Sequence, residues 1–160
     1  MMQALDKDLR SALEKTVKAA RTEAETAANA AVEQLGVGHD KPEAFLSDPE
    51  KALRNRLRTH GKQLGDARDS KSSNPTYGKQ AVQHLVQEVA YQHWHRMLFA
   101  RFLADNNLLM YDGVAVTIEE CDELAPDEGA KSGWELAGKL AARMLPQVFK
   151  PGSPVFELTF

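Results

Sequence analysis

Two histidines, a tryptophan and two arginines stand in an otherwise largely apolar run, "VAYQHWHRMLFARFLADNN", residues 89–107. Histidine is a common zinc ligand, so His93 and His95 suggest a metal centre. The surrounding pattern is helical, however, and helical residues two apart point about 200° apart, too far to share one ion. Neither His84 nor the single Cys121 completes a zinc set by its spacing. We therefore predict no metal ligands here and a structural role for both histidines.

A second pattern that could do chemistry is "RNRLRTH", residues 54–60. Its order of an arginine, a polar residue, four further residues and a histidine resembles the active-site motif of HEPN ribonucleases, which are small helical bundles. In such a pair Arg54 would bind the scissile phosphate and His60 would assist proton transfer. Short patterns of this kind are common in arginine-rich helices, so the ribonuclease stands as an alternative.

The same segment belongs to a basic region. Residues 51–80 contain eight basic residues against two acidic ones, and residues 105–135 contain nine acidic residues against one lysine. A positive surface attracts polyanions whatever the total charge, and without interleaved aromatic residues duplex DNA is the favoured partner. The predicted contacts to the DNA backbone are Arg54, Arg56, Arg58, Lys62, Arg68 and Lys71. The alternative is that the two charged segments are solvated faces that attract each other.

The stretch "SSNPTYGK", residues 72–79, nearly spells the Asn-Pro-Pro-aromatic loop with which amino-methyltransferases hold their target adenine. Thr76 replaces the second proline, and polar residues precede the loop where a buried strand would be expected. We interpret Asn74–Tyr77 as a turn. No glycine-rich loop follows a strand either, so we predict no cofactor site and no catalytic residue in this chain.

The composition predicts a single domain built from helices. The chain has 160 residues, 42% of them hydrophobic and 27% charged, which is enough for a real core. Helix-forming residues dominate and alternating strand patterns are scarce, so we predict an all-α bundle with little or no strand. One cysteine excludes an internal disulfide and suits the cytoplasm. No apolar run reaches about 18 residues, so we expect no contact with a membrane.

Apolar spacing and cap residues locate the first two helices. Apolar residues recur every three or four positions over Gln3–Gln34, which predicts a long amphipathic helix ending at Gly36. A short basic helix is predicted over residues 49–60, with Asp48 as its N-cap and Gly61 as its stop.

The remaining elements follow the same rules. A buried central helix is predicted over about 78–105, followed by a turn at Tyr111–Gly113. The stretch "VAVTIEECDELA" is either a short strand or the lead into an acidic helix, and we favour a helix from about 118 with Thr117 and Glu120 as a capping box. Another helix begins after Ser132, turns Trp134 inward and stops near Pro146, before a strand-like tail. We divide the chain into a long helix (1–36), a bundle core (45–150) and the start of a linker or following domain (151–160).

Four stretches together resemble a known protein region: "LRTHGKQLGDARD", "LVQEVAYQHWHRMLFARFLADNNLL", "GVAVTIEECDELA" and "GWELAGKLAARMLPQVF". They are similar to the helical N-terminal region of large adenine-specific DNA methyltransferases from bacterial restriction-modification and phage-defence systems, including the BREX and DISARM type. The similarity covers about Leu53–Phe149. Its most specific part is the helix "EVAYQHWHRMLFARFLADNN".

The resemblance implies a non-catalytic domain excised from a longer enzyme. In such enzymes this region precedes the domain that binds S-adenosylmethionine, the cofactor of the presumed parent, a DNA adenine N6-methyltransferase. The implied role is packing against that catalytic domain of the same chain and contributing contacts to the DNA backbone. The core or interdomain residues would be Tyr91, Trp94, Met97, Phe99, Phe102 and Leu103.

A structural interaction domain that binds a protein through its first helix is the remaining alternative. Its mark would be an exposed apolar stripe along residues 5–35.

Overall fold

The structure, a computed structural model, describes residues 4–69, 71–149 and 152–158. Over these residues the chain forms six α-helices, two short antiparallel strand pairs and a 3-10 helix. The prediction of a predominantly α-helical fold is confirmed. The chain divides into two compact units: unit 1 contains the described residues up to Tyr91 and those from Pro154, and unit 2 is Gln92–Ser153. The domain boundaries given by the sequence stay predictions.

Helix α1 spans Lys7–Gln34, close to the predicted Gln3–Gln34, whose first residue lies outside the described residues. Asp6 caps its N-terminus by accepting a hydrogen bond from the backbone of Asp8 at 3.1 Å. The chain leaves the helix through Gly36, whose φ of 64° is readily adopted only by glycine. The helix is exposed up to residue 19 and buries Ala28, Ala31 and Val32 near its C-terminal end.

Helix α2 spans Asp48–Leu64, so both predicted ends need correction. Ser47, not Asp48, is the N-cap, and it forms a reciprocal capping box with Glu50. The helix passes through Gly61 and ends at Gly65, whose φ of 110° suits a glycine cap. A Cβ atom at Gly61 would lie only 3.0 Å from a carboxylate oxygen of Asp66, so this glycine permits a close approach inside the helix.

A small hairpin, β1 (Arg68–Asp69) with β2 (Lys79–Gln80), leads into helix α3, Gln83–Asp105. The predicted start at about 78 is wrong because residues 79–80 pair with β1. Asp66 caps α3 from a distance, since its two carboxylate oxygens accept the backbone N–H groups of His84 (2.9 Å) and Leu85 (3.0 Å).

The core of unit 1 joins the end of α1, the buried side of α2 and the first half of α3. Its largest fully buried apolar side chains are Val32, Val37, Leu57, Leu85, Val89 and Val155. The last of these belongs to the 3-10 helix Pro154–Glu157. The tail therefore forms a 3-10 turn packed into this core, where a strand-like stretch was predicted.

Unit 2 contains the second half of α3, the hairpin β3 (Met110–Tyr111) and β4 (Val114–Ala115), and helices α4 (Ile118–Leu124), α5 (Gly133–Met144) and α6 (Pro146–Phe149). The predicted caps are confirmed: Thr117 and Glu120 form a capping box, and Ser132 caps α5. The prediction that Trp134 turns inward is wrong, because its side chain lies at the exposed surface. The core centres on Leu109, Cys121, Leu136, Ala137 and Phe149.

Candidate functional site

The buried side of α2 carries two arginines. Arg54, Leu57, Arg58 and Gly61 recur at helical spacing and are the buried residues of this helix. Arg54 is 0% exposed and Arg58 is 2% exposed, so the helix delivers two guanidinium groups to the interior of unit 1. A buried charge is costly unless its hydrogen-bonding groups are satisfied. The acceptors that satisfy these two groups come from the backbone of two loops.

Arg54 joins the segment after α1 to the loop of the β1–β2 hairpin. Its Nε donates to the carbonyl of Gly36 (2.9 Å) and its Nη2 donates to that of His39 (2.9 Å). Its Nη1 donates to the carbonyl of Thr76 (3.1 Å) and to the side chain of Asn55. Burial lowers the pKa of Arg54, although the guanidinium remains charged.

Arg58 makes the same kind of connection with more bonds. Its Nη1 donates to the carbonyls of Val37 (2.7 Å) and His39 (3.2 Å). Its Nε and Nη2 donate to three carbonyls of the hairpin loop, those of Pro75, Tyr77 and Gly78. Burial lowers the pKa of Arg58, and the neighbouring positive charges of Arg54 and Arg68 add to this effect.

The hairpin loop therefore turns five consecutive carbonyl groups, residues 74–78, toward arginines. Arg68 supplies the fifth contact by donating to the carbonyl of Asn74 at 2.6 Å. The Asn74 side chain accepts the backbone N–H of Thr76, and the predicted turn is confirmed. The three arginines order this loop and leave the side chain of Tyr77 exposed.

The prediction that Arg54 and Arg58 contact DNA phosphates must be corrected, because both side chains are buried and donate to backbone carbonyls. The other four predicted contacts lie nearer the surface. Arg56 is exposed and forms a two-pronged ion pair with Glu157, which raises the pKa of Arg56. Arg68 is half-buried against its own loop, while Lys62 and Lys71 are exposed.

The ribonuclease pair is not assembled. Arg54 and His60 are six residues apart on α2 and so point about 120° apart around it. His60 is half-buried, and its Nε2 has no hydrogen-bond partner among the described residues. Arg54 donates to backbone carbonyls and Nε2 of His60 is buried, so neither group is open to a phosphate at the surface.

The second half of α3 carries a different surface feature, an exposed apolar stripe formed by Leu98 and Phe102. These residues lie one turn apart, and their exposed fractions are 53% and 54%. Met97 beside them is also exposed, as is Tyr91 in unit 1. Of the six residues expected in the core or between domains, Leu103 alone is fully buried, while Trp94 and Phe99 are half-buried.

Aromatic rings define the buried side of the same half of α3. His95 contacts the rings of Phe99 and Phe149, with centroids 5.9 Å and 5.6 Å away. Phe99 in turn packs edge-on against Phe149 at 5.8 Å. His95 and Phe99 thus both pack against the buried Phe149, whereas Phe102 contacts only the ring of Phe99, at 6.0 Å, and its own side chain stays half exposed.

Across residues 4–69, 71–149 and 152–158 no three His, Cys, Asp or Glu side chains are grouped so that they could hold a metal ion. Cys121 lies in the core of unit 2, where burial raises the pKa of its thiol and disfavours the reactive thiolate. None of the helices in the described part of the chain is both long and apolar enough to cross a membrane.

Comparisons with known proteins provide no relative: no protein-family model matches the chain, and neither curated proteins nor solved structures gave a match.

Proposed function

We propose that this chain is a non-catalytic helical module that packs against another domain through the Leu98–Phe102 stripe of α3. The resemblance of the sequence supports a specific neighbour, the S-adenosylmethionine-binding catalytic domain of a DNA adenine methyltransferase in bacterial restriction-modification or phage defence. In this proposal the module acts in the cytoplasm, and the cofactor belongs to the neighbouring domain.

The observation that carries the proposal is the half exposure of Leu98 and Phe102. Two large apolar side chains that adjoin on one helix face and remain open to water support packing of this face against another protein surface. The stripe lies on the helix with the most specific part of the resemblance. Interdomain packing also explains why a run this apolar is not fully buried.

A contribution to DNA binding now rests on fewer residues. Lys62 comes directly after the buried Gly61 in α2, and Lys71 lies in the loop of the β1–β2 hairpin. Both lysines are exposed. Long lysine side chains at a surface contact phosphates without reading sequence, and each contact adds to the salt dependence of binding. The proposal therefore assigns weak, sequence-independent backbone contacts to Lys62 and Lys71 and none to the buried arginines.

The first experiment measures the mass of the native polypeptide in extracts of the source cells, with an antibody raised against the 160-residue chain. A species several times heavier than 17.7 kDa that methylates adenine in duplex DNA is the expected result. A native species of 17.7 kDa would overturn the methyltransferase proposal.

The stripe is tested in that longer polypeptide with Leu98→Glu/Phe102→Glu. We expect limited proteolysis to release the module faster, because charged residues weaken an apolar contact. Val114→Glu, which changes an exposed apolar residue of unit 2 outside the stripe, is the matched control and should behave like the unmodified protein. Equal release from both variants would show that the stripe is not the contact.

DNA binding is measured separately by fluorescence anisotropy with a labelled duplex. Lys62→Ala/Lys71→Ala should weaken binding and reduce its salt dependence. Lys139→Ala removes a half-buried lysine that is paired with Glu135 in unit 2 and serves as the control. Unchanged binding by the double variant would remove DNA from the proposal.

A second candidate is a free-standing protein-interaction domain that uses α1. It is favoured by the exposed apolar residues along the first half of that helix. A native mass of 17.7 kDa would make this candidate the leading one.

A further inference from the structure

The tail of the chain, defined here as Pro154–Leu158, belongs to unit 1 although the whole of unit 2 separates it from the rest of that unit. The chain leaves unit 1 within α3 and returns to it at Pro154. There the 3-10 helix of the tail contacts α2. Unit 1 is therefore closed by a segment that is distant from it in the sequence.

Two apolar side chains fix the tail in the core of unit 1. Val155 is 0% exposed and Leu158 is 5% exposed, and both belong to the same core as Leu57 of α2. They are three residues apart, and a 3-10 helix has three residues per turn, so this spacing places them on one side of the tail. Pro154 and Phe156 are partly buried.

The exposed side of the tail carries a charge pair with α2. The carboxylate of Glu157 accepts hydrogen bonds from both terminal nitrogens of Arg56. The two side chains are 47% and 51% exposed, so the ion pair adds little to stability. It nevertheless ties the tail to one defined position on α2.

The forces that hold the tail are closely balanced. Burial of its apolar side chains is opposed by the conformational entropy that is lost when five residues become ordered, and these two quantities are similar in size. The long helices of unit 1 are held in addition by their own ladders of backbone hydrogen bonds. Gly152, two residues before the tail, has a φ of 92°, and a Cβ atom there would have no neighbour within 4 Å among the described residues. Packing therefore does not hold this junction in place.

We propose that the tail is a reversible clasp, which docks on α2 to close unit 1 and detaches while both units stay folded. Detachment removes Val155 and Leu158 from the core and frees the side of α2 that carries Arg56. Unit 1 thereby exposes apolar surface that the docked tail covers. The inference does not rest on the proposed function, because it concerns contacts within unit 1 alone.

Thiol labelling of the full chain measures the opening of the clasp. Val155→Cys places a buried thiol in the tail, and Val89→Cys makes the same change at a 0% exposed valine of α3 in the same core. Each labelling rate is divided by that of the same variant in urea. We expect iodoacetamide to label Val155→Cys at least about tenfold faster than Val89→Cys, because local opening needs less free energy than unfolding of the core.

Two results would overturn the clasp. Equal labelling of the two variants would show that the tail opens only when unit 1 unfolds. Labelling of the native Cys121, which is buried in unit 2, as fast as that of Val155→Cys would show that unit 2 unfolds with it. Circular dichroism checks that each variant keeps its helices, and Leu85→Cys, also 0% exposed in α3, replaces Val89→Cys if that variant does not fold.

Charge exchange at the ion pair tests the docking position. In the Val155→Cys chain, Glu157→Arg should raise the labelling rate about twofold to fivefold, because it places like charges opposite one another at an exposed pair. Arg56→Glu/Glu157→Arg should restore the original rate. An unchanged rate in the single variant, or a raised rate that the double variant does not restore, would overturn docking of the tail at Arg56.

Discussion

Arg54 and Arg58, one turn apart on α2, donate hydrogen bonds to the same acceptor, the carbonyl oxygen of His39, at 2.9 Å and 3.2 Å. Two like charges converge on one backbone dipole, and neither arginine forms an ion pair with a described carboxylate. Charge-assisted hydrogen bonds to carbonyls replace the hydration that burial removes. The segment after α1 and the loop of the β1–β2 hairpin are consequently held by the same two side chains.

The geometry of Arg58 predicts that lysine cannot replace it. Arg58→Lys retains the charge but offers one ammonium group in place of a planar group that contacts five carbonyls. We expect a loss of about 2–4 kcal/mol in the free energy of unfolding, measured by urea denaturation. Arg56→Lys, at an exposed ion pair two residues away, should cost less than about 1 kcal/mol. Similar losses in the two variants would contradict the importance of the buried contacts.

His39 predicts a pH dependence of stability. Hydrogen bonds to Glu33 and Glu43, each 2.8 Å long, raise the pKa of His39 above its ordinary 6.5. Because the folded-state pKa is the higher one, this contribution to stability is fully present below pH 6.5 and is lost as the pH rises through the folded-state pKa. Urea denaturation between about pH 5 and 9 should show it, and His39→Gln should lack it. An NMR titration that places the pKa of His39 at or below 6.5 would refute the prediction.

The hydroxyl of Tyr111 should lose its proton only at unusually high pH. Its hydroxyl donates to Glu128 at 2.6 Å, and this bond is the main reason that the pKa of Tyr111 is raised to about 12. Glu128→Gln keeps a hydrogen-bonding side chain and removes the negative charge, so the pKa should move back toward 10. Two-dimensional NMR of the tyrosine ring protons during alkaline titration separates Tyr111 from Tyr77 and Tyr91. An unchanged pKa in the variant would show that Glu128 is not the cause.

Gly133, the first residue of α5, should not tolerate a side chain. A Cβ atom there would lie 2.3 Å from Oδ1 of Asp122 and 2.5 Å from its backbone nitrogen, and backbone cannot move aside as a flexible side chain can. Gly133→Ala is therefore expected to lower the free energy of unfolding by about 1–3 kcal/mol. Alanine at exposed Glu123 in the same unit should change it by less than about 0.5 kcal/mol. Equal stability of the two variants would contradict the close contact.

Features that depend on nearby residues could be predicted from the sequence. The capping box of Thr117 and Glu120 and the cap at Ser132 involve residues three apart, so their pattern is visible in the chain. The end of α2 could not be predicted in this way because two glycines compete for it. Gly61 is needed inside the helix, since a Cβ atom there would meet Asp66, Gln80 and Leu85; Gln80 lies in the hairpin and Leu85 lies beyond it.

The hydrogen bonds of the candidate site also depend on residues that are distant along the chain, so they could not be predicted from the sequence. The sequence reveals the charges of Arg54 and Arg58, but their acceptors lie 15–22 residues away along the chain. One signal was present: both arginines share a helix face with Leu57, which is unusual for residues that meet solvent. The exposure of Leu98 had no such signal, because apolar residues surround this part of α3 and the side that turns inward is set by contacts with residues far along the chain, such as that of Phe99 with Phe149.

Helix α1 joins two stretches that are stabilised differently. Its last turns are fixed by the core of unit 1, whereas residues 7–19 are exposed and are kept helical by their own backbone hydrogen bonds, the Asp6 cap and the helical preference of alanine and lysine. Amide hydrogens along this single helix should therefore exchange with solvent at graded rates, fastest near Lys7 and slowest near Val32. The free energy that keeps such a helix folded therefore differs from one end to the other. A protein that covered the first half of α1 would stabilise the helical state of that half as it bound.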